Sequence, residues 1–282
     1  MVDVFGGSVY GLRGKRGPPG PKGCPGSIDD MCKWLPKTML KSYQENEESG
    51  CYFITDLKKD ILKNRNGEII EWVSRSDTKI NLKGKVPTKD IVKLPNDKGY
   101  ALSFHKTHYR AGLKTFMTLK GYGFLCITFR TKIDKEQILL SNFDDDNPDN
   151  PFNQILASKS SLFIVGFVDE KKIKIPIMHD CSKWTTFFVD WVVEYTDGHG
   201  CITGTYMIDG NKKLVGTFKF TRSFVSGDFI DVGSEPNDVR SFTGDIRALE
   251  IYTPFYGKII PQSLKELVIQ NQLIDDGDEN MI

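Results

Sequence analysis

The segment WTTFFVDWVVEY (184–195) and the two that follow it, ITGTYMID (202–209) and KLVGTFKF (213–220), decide the fold. Each is rich in β-branched and aromatic residues, a composition typical of strands. Asp209 and Gly210 form the junction between the last two segments. An Asp-Gly pair favours a tight hairpin because glycine adopts positive φ without a Cβ clash. The three segments therefore predict consecutive antiparallel strands.

Three upstream segments have the same character: FLCITFRT (124–131), SLFIVGFVD (161–169) and KIKIPIM (172–178). Short strands at regular spacing, separated by turn residues, are typical of a sandwich and not of a parallel sheet. We therefore expect an all-β fold, a two-sheet antiparallel jelly-roll sandwich. A later segment, SLKELVIQNQL (263–273), follows Pro261 and has a helical composition.

The hairpin also constrains one cysteine pair. Strand 184–195 turns near Gly198, which places Cys201 opposite about Tyr195, while Cys181 lies beyond the far end of the strand. Disulfide-bonded Cα atoms must approach within about 7 Å. We therefore expect Cys181 and Cys201 to remain unbridged.

The N-terminal region carries glycine at every third position, in the run GLR-GKR-GPP-GPK-GCP-G. Three polyproline II strands share one axis only where a residue without a side chain meets that axis, so the run predicts a collagen-like homotrimer. Five triplets are short, and we expect the neck, the heads or a docking partner to drive assembly. The predicted organisation is a lead-in (1–10), a collagen-like stalk (11–26), a neck (27–50), a head (51–273) and an acidic tail (274–282).

The neck carries apolar residues at heptad-like spacing, namely Ile28, Cys32, Leu35 and Met39. This seam predicts a short helix that joins three chains, although Pro36 interrupts it. The alternative is an amphipathic helix that packs on the head.

Composition bounds the class of protein. The chain has 282 residues, 39% hydrophobic and 27% charged, with a net charge of +1. These values suit a soluble globular protein, and no apolar run approaches the roughly 20 residues that span a bilayer. The start of the sequence shows no recognisable signal peptide, and we expect a virion or extracellular location.

Six cysteines are too few for a disulfide-rich scaffold of this length. In an oxidising compartment, Cys24 and Cys32 are candidates for interchain disulfides at the base of the stalk. The cysteines among the head strands, Cys126, Cys181 and Cys201, are expected to be buried free thiols.

An ordered series of motifs resembles a known family. It comprises KEQILLSN (135–142), SKWTTFFVDW (182–191), YMIDGNKKL (206–214), DFIDVGSEPNDVRSFTGDIRALEIY (228–252) and IPQSLKELV (260–268). This series is similar to the laminin-G/pentraxin type of concanavalin A-like domain. The resemblance covers about residues 51–273, implies a two-sheet jelly roll and marks Trp72 as a core residue. The motif positions are Trp184, Asp209, Gly210, Gly233, Phe242, Gly244, Ile246 and Glu250.

Residues 11–60, a collagen-like run followed by a neck and the start of a head, also resemble collagen-like proteins of insect DNA viruses and virus-like mobile elements. The resemblance would account for the missing signal peptide, and it makes a virion attachment protein one version of the expected function.

The loop FDDDNPDNPFN (143–153) gathers many hard oxygen ligands. Calcium takes six to eight such ligands, and heads of the resembled family often hold calcium in rim loops. The alternative is a solvated acidic turn. The candidate calcium ligands are Asp144, Asp145, Asp146, Asn147 and Asp149; otherwise we expect no cofactor.

The collagen-like run carries four cations and no acid, namely Arg13, Lys15, Arg16 and Lys22. In a trimer they form a basic rod that predicts polyanion binding, to heparan-type glycans or nucleic acid. The alternative is simple solvation of an exposed rod.

Catalytic patterns are missing from the sequence. No E-x-D-x-E carboxylate pair of the kind that glucanases use is present, and His105 and His108 form an H-x-x-H without further metal ligands nearby. We therefore expect no catalytic residue and a non-enzymatic, trimeric recognition protein that binds a glycan or protein receptor. The alternatives are a structural protein of a capsid or extracellular matrix and, less favoured, a glycan-active enzyme.

Overall fold

The computed structural model describes ten stretches of the chain and three isolated residues. They are 47–76, 80–94, 99–112, 121–143, 153–168, 171–196, 199–209, 211–222, 229–234 and 240–254, with 265, 266 and 269.

Seventeen strands form within these residues. The first nine are β1 (Glu47–Phe53), β2 (Ile61–Lys63), β3 (Ile69–Trp72), β4 (Leu82–Val86), β5 (Ile91–Lys93), β6 (Tyr100–His105), β7 (His108–Ala111), β8 (Gly121–Arg130) and β9 (Gln137–Phe143). The others are β10 (Asn153–Ser158), β11 (Ser161–Val168), β12 (Lys171–Met178), β13 (Thr185–Thr196), β14 (His199–Ile208), β15 (Asn211–Arg222), β16 (Phe229–Val232) and β17 (Thr243–Pro254).

The strands form two antiparallel sheets. Sheet A has the order β15-β14-β13-β8-β17-β6-β5, and β1 pairs with β17 beside this path. Sheet B has the order β12-β11-β10-β9-β16-β7-β4-β3-β2. Strands such as β6 and β7, consecutive in sequence, lie in different sheets, so the chain winds between the two layers. The expected all-β, two-sheet antiparallel sandwich is confirmed.

Alternation along each strand builds the core. On β13, Phe187, Val189 and Trp191 are buried between the sheets, since successive side chains of a strand point to opposite faces. Trp72, expected in the core, is fully buried there. Phe188 points outward and packs in a smaller cluster with Ile269 of the C-terminal segment. Residues 265, 266 and 269 are helical, as the composition of that segment predicts.

The pairing of β13 with β14 differs by one residue from the sequence expectation. Cys201 lies opposite Glu194, and Tyr195 lies opposite Gly200. The reason is the hairpin, which pairs Thr196 with His199 and leaves two residues in the turn. The expectation that Cys181 and Cys201 stay unbridged is confirmed, since both are free thiols. Cys126 and Cys181 are also buried, as expected, but Cys201 is only half-buried, which corrects the expectation for that residue.

The head begins earlier than the expected boundary at Cys51. Residues 47–50 already belong to β1, where Glu47 pairs with Pro254 and Gly50 with Ile251. Seven consecutive pairs with β17 hold this strand in sheet A, so the end of the expected neck is sheet. Among the described residues, no helix is long and apolar enough to cross a bilayer.

Candidate binding surface

The sandwich has two ends that the strand directions distinguish. We call the end where Glu47 and Pro254 pair the proximal end, because residues 1–46 join the head there. The opposite end, where β17 begins at Thr243 beside His105 of β6, is the distal end. Since every pair of strands in the described residues is antiparallel, eight connections between these strands lie at the distal end. They are β2–β3, β4–β5, β6–β7, β8–β9, β10–β11, β12–β13, β14–β15 and β16–β17.

Main-chain hydrogen bonds fix three neighbouring distal connections to one another. The amide of Lys159, between β10 and β11, donates to the carbonyl of Ile133, between β8 and β9, over 2.7 Å. The amide of Cys181, between β12 and β13, donates to the carbonyl of Lys159 over 2.7 Å. The amide of Thr131 in turn donates to the carbonyl of Cys181 over 2.8 Å. These loops therefore form one preorganised surface.

An apolar patch lies at this corner. Met178, the last residue of β12, is 75% exposed, and Ile133 is 37% exposed. Pro176 is exposed on the same face of β12 as Met178, and it lies opposite the half-buried Phe163 of β11. Phe163 packs against three buried residues on the outer face of sheet B, namely Ile138, Leu156 and Val165. We call Ile133, Phe163, Pro176 and Met178 the distal patch.

Charged side chains surround the distal patch. The ammonium of Lys174 lies 3.9 Å from the centroid of the Phe163 ring and pairs with Glu136. Nearby, Asp180 accepts hydrogen bonds from the hydroxyl and the amide of Ser182, and these hold the pKa of that carboxyl below its usual value. The three distal loops and β12 bring five exposed lysines to this corner, namely Lys132, Lys135, Lys159, Lys174 and Lys183. The described carboxylates of the same loops are Asp134, Glu136 and Asp180.

Apart from the distal patch, a polar cluster is buried on the outer face of sheet B. Asp231 is fully buried and accepts hydrogen bonds from Arg110 Nε, over 2.9 Å, and from the ring of His108. The guanidinium of Arg110 also lies 4.8 Å from the centroid of the Phe229 ring. The carboxylate is thus held by two basic side chains away from solvent. Such a cluster stabilises the junction of β7 and β16 and offers no accessible acid or base.

Another buried polar cluster lies on the outer face of sheet A. Glu250 is buried on β17, where it lies opposite Cys51 of β1 on one side and Cys126 of β8 on the other. It accepts a hydrogen bond from the Tyr252 hydroxyl over 3.1 Å. Burial, followed by the charge of Glu250, raises the pKa of both thiols and of Tyr252. These cysteines are therefore protonated and poorly nucleophilic at neutral pH.

The structure separates the two histidines of the H-x-x-H pattern. His105 is exposed, while His108 is buried against Asp231. No group of three or more histidine, cysteine or acidic side chains within the described stretches could hold a metal ion.

The other candidate residues lie outside the described residues. These are the calcium candidates Asp144, Asp145, Asp146, Asn147 and Asp149, the polyanion candidates Arg13, Lys15, Arg16 and Lys22, and the disulfide candidates Cys24 and Cys32.

Sequence reasoning missed the distal patch. The segment KIKIPIM was correctly predicted as a strand, but its apolar residues gave no sign that Met178 is exposed while Ile177, next to it, is buried. The available signal was Pro176. Proline cannot donate to a ladder and so favours an edge strand, and β12 is the edge of sheet B.

Comparison with known proteins gives only distant matches. No family model matches the chain, and no curated protein matches it at a significant level. Solved structures that match include the botulinum neurotoxin serotype D binding domain, with 12% identity, a TM-score of 0.49, and coverage of 79% of this chain and 52% of that one. Another is the binding domain of botulinum neurotoxin DC in complex with rat synaptotagmin II, with 12% identity, a TM-score of 0.48, and coverage of 73% and 52%. This chain thus spans about half the length of the solved chains it matches.

Proposed function

We propose that the chain is a non-enzymatic recognition protein that forms a homotrimer, in which the collagen-like run at 11–26 presents three heads to a glycan or protein receptor. The observation that carries this proposal is the position of β1. Glu47 enters the head at the proximal end, and the distal patch lies at the other end. A stalk attached at the proximal end leaves the distal surface facing a partner.

The rigidity of the distal loops supports binding at that surface. Loops already fixed by main-chain hydrogen bonds lose little conformational freedom when a partner binds, which lowers the free-energy cost of association. Three linked heads also raise apparent affinity by about two to four orders of magnitude without new contacts, so each head can bind weakly. Virion attachment is the version that the resemblance of residues 11–60 to viral collagen-like proteins favours.

The state of the polar groups supports a role without catalysis. A general base must reach its substrate, whereas Asp231 is enclosed by Arg110 and His108. A nucleophilic cysteine acts as the thiolate, whereas the pKa of Cys51 and Cys126 is raised.

Binding of labelled protein to glycan arrays and to a panel of cultured cells tests the proposal. The full chain is compared with a variant that begins at Glu47, and light scattering gives the mass of each. We expect the full chain to remain bound after washing and any monomeric variant to lose about two to four orders of magnitude in apparent affinity. Equal binding by trimer and monomer, or turnover of a polysaccharide, contradicts the proposal. Stable assembly without binding to any surface favours the structural alternative.

A further inference from the structure

We infer that the distal patch is a docking site for a protein surface that carries an apolar side chain within an acidic rim, and that it is not a glycan subsite. The inference deepens the proposed function and rests on it only for the orientation of the head. The juxtaposition that carries it is an exposed methionine at the end of β12 and an exposed isoleucine on a fixed loop, beside an excess of lysine.

The apolar centre is the first step. At 75% exposure, Met178 is the most exposed large apolar side chain among the described residues, and Ile133 lies on the loop that is bonded to the adjacent hairpin. Methionine is enriched in protein interfaces, because its flexible, polarisable thioether adapts to a partner's shape. Phe163 and Pro176 extend the apolar surface along β12 and β11.

The charges are the second step. Five lysines and three carboxylates lie in the three loops and on β12 around the patch. Glu136 pairs with Lys174, whereas Asp180 bonds the neutral Ser182 and so keeps its negative charge. On the neighbouring β14–β15 turn, Asp209 accepts from the amide of Thr186. Five lysines therefore lie beside four carboxylates, Asp209 included, and the described corner keeps an excess of one cation. This excess complements an acidic rim, and such complementarity steers association.

The aromatic residue is the third step. Sugar-binding sites use exposed aromatic faces, but Phe163, the aromatic member of the patch, is half-buried and one face of its ring is covered by the ammonium of Lys174. Aliphatic and thioether groups offer a hydroxyl-rich ligand few hydrogen bonds. A protein side chain such as leucine or phenylalanine fits this surface better.

Phage selection on the immobilised full chain tests the inference, with a library of disulfide-constrained random peptides as the probe. We expect enriched peptides that combine aspartate or glutamate with an aliphatic or aromatic anchor. Their affinity should fall about tenfold or more for Met178→Asp and for Ile133→Asp. The affinity should be unchanged for Leu62→Asp, a matched control. Leu62 is 49% exposed and lies on β2, at the opposite edge of sheet B from β12.

Charge reversal gives a second measurement that does not disturb the apolar centre. Lys132→Glu combined with Lys159→Glu should slow peptide association, and added salt should weaken peptide binding to the unaltered chain. Peptides that are basic, or that bind all variants equally, overturn the inference.

Two further outcomes also overturn it. Binding to acidic glycans that is lost with the lysine changes but retained by Met178→Asp assigns the surface to glycans. A fall in molecular mass on Met178→Asp assigns it to contact between copies of this chain. If the full chain binds the selected peptides but does not bind cells, the proposed function is contradicted and the docking site is still supported.

Discussion

Asp231 shows how one side chain holds two strands of sheet B together. It is fully buried on β16, and its partners His108 and Arg110 lie on β7, more than a hundred positions earlier in the sequence. Removing one member of a buried ionic group is costly, because the charge that remains is left without its partner.

Replacement of this carboxylate is therefore expected to destabilise the head strongly. Asp231→Leu should lower the free energy of unfolding by about 3–5 kcal/mol. Glu136→Gln breaks the exposed pair with Lys174 and should cost about 1 kcal/mol or less. Urea denaturation of both variants measures the difference, and equal effects would show that the buried group is not stabilising.

Buried tyrosines predict a loss of stability at alkaline pH. Burial raises the pKa of Tyr109 to about 12, and its hydroxyl donates to the carbonyl of Ile69 over 2.6 Å. In an unfolded chain the pKa of tyrosine is about 10. The folded state thus favours the protonated hydroxyl, and this contribution is complete below pH 10 and lost as the pH rises towards 12.

Urea denaturation between pH 8 and 11 checks this expectation. The unaltered chain should lose stability as the pH rises above about 10. Tyr109→Phe should be less stable at pH 8, because the Ile69 carbonyl loses its donor, but should show a weaker dependence on pH. A steeper dependence in the variant would contradict the assignment.

At the scale of elements, the long strands were predictable and the short ones were not. The six segments predicted between residues 124 and 220 correspond to β8, β11, β12, β13, β14 and β15. They were predictable because a continuous run of β-branched and aromatic residues is typical of buried strands. Strands such as β4, LKGKV, have a single buried residue, Leu82, and depend on pairing with distant partners. The pairing of His108 with Asp231 and the exposure of Met178 likewise depend on tertiary packing and leave no local pattern.

Glycines in connections give a test at the same scale. Gly233 follows β16 with φ of +84°, and a Cβ there would lie 2.7 Å from the carbonyl oxygen of Thr107. Gly67, in the β2–β3 turn, has φ of +79° but open space around it. Both positions disfavour a side chain by conformation, but only the first also produces a clash.

Alanine at each position separates these two effects. Gly67→Ala should lower the free energy of unfolding by roughly 1–2 kcal/mol, the cost of a left-handed conformation. Gly233→Ala should cost more, because the β6–β7 turn has to move. Thermal denaturation of the two variants measures both costs, and a smaller effect at Gly233 would mean that the turn adapts freely.

At the scale of the whole molecule, a proximal attachment and a distal surface form one arrangement. The six glycines from Gly11 to Gly26 predict three chains, and β1 brings those chains to the proximal end of each head. The preorganised loops around Met178 then lie at the opposite end. The proposed recognition function depends on both features, and its avidity depends on the proposed trimer.

Light scattering of the full chain in solution tests this arrangement most directly. We predict a mass three times that of the single chain, 31.9 kDa, and retention of that mass on dilution. A species of single-chain mass with residues 11–26 intact would contradict the account.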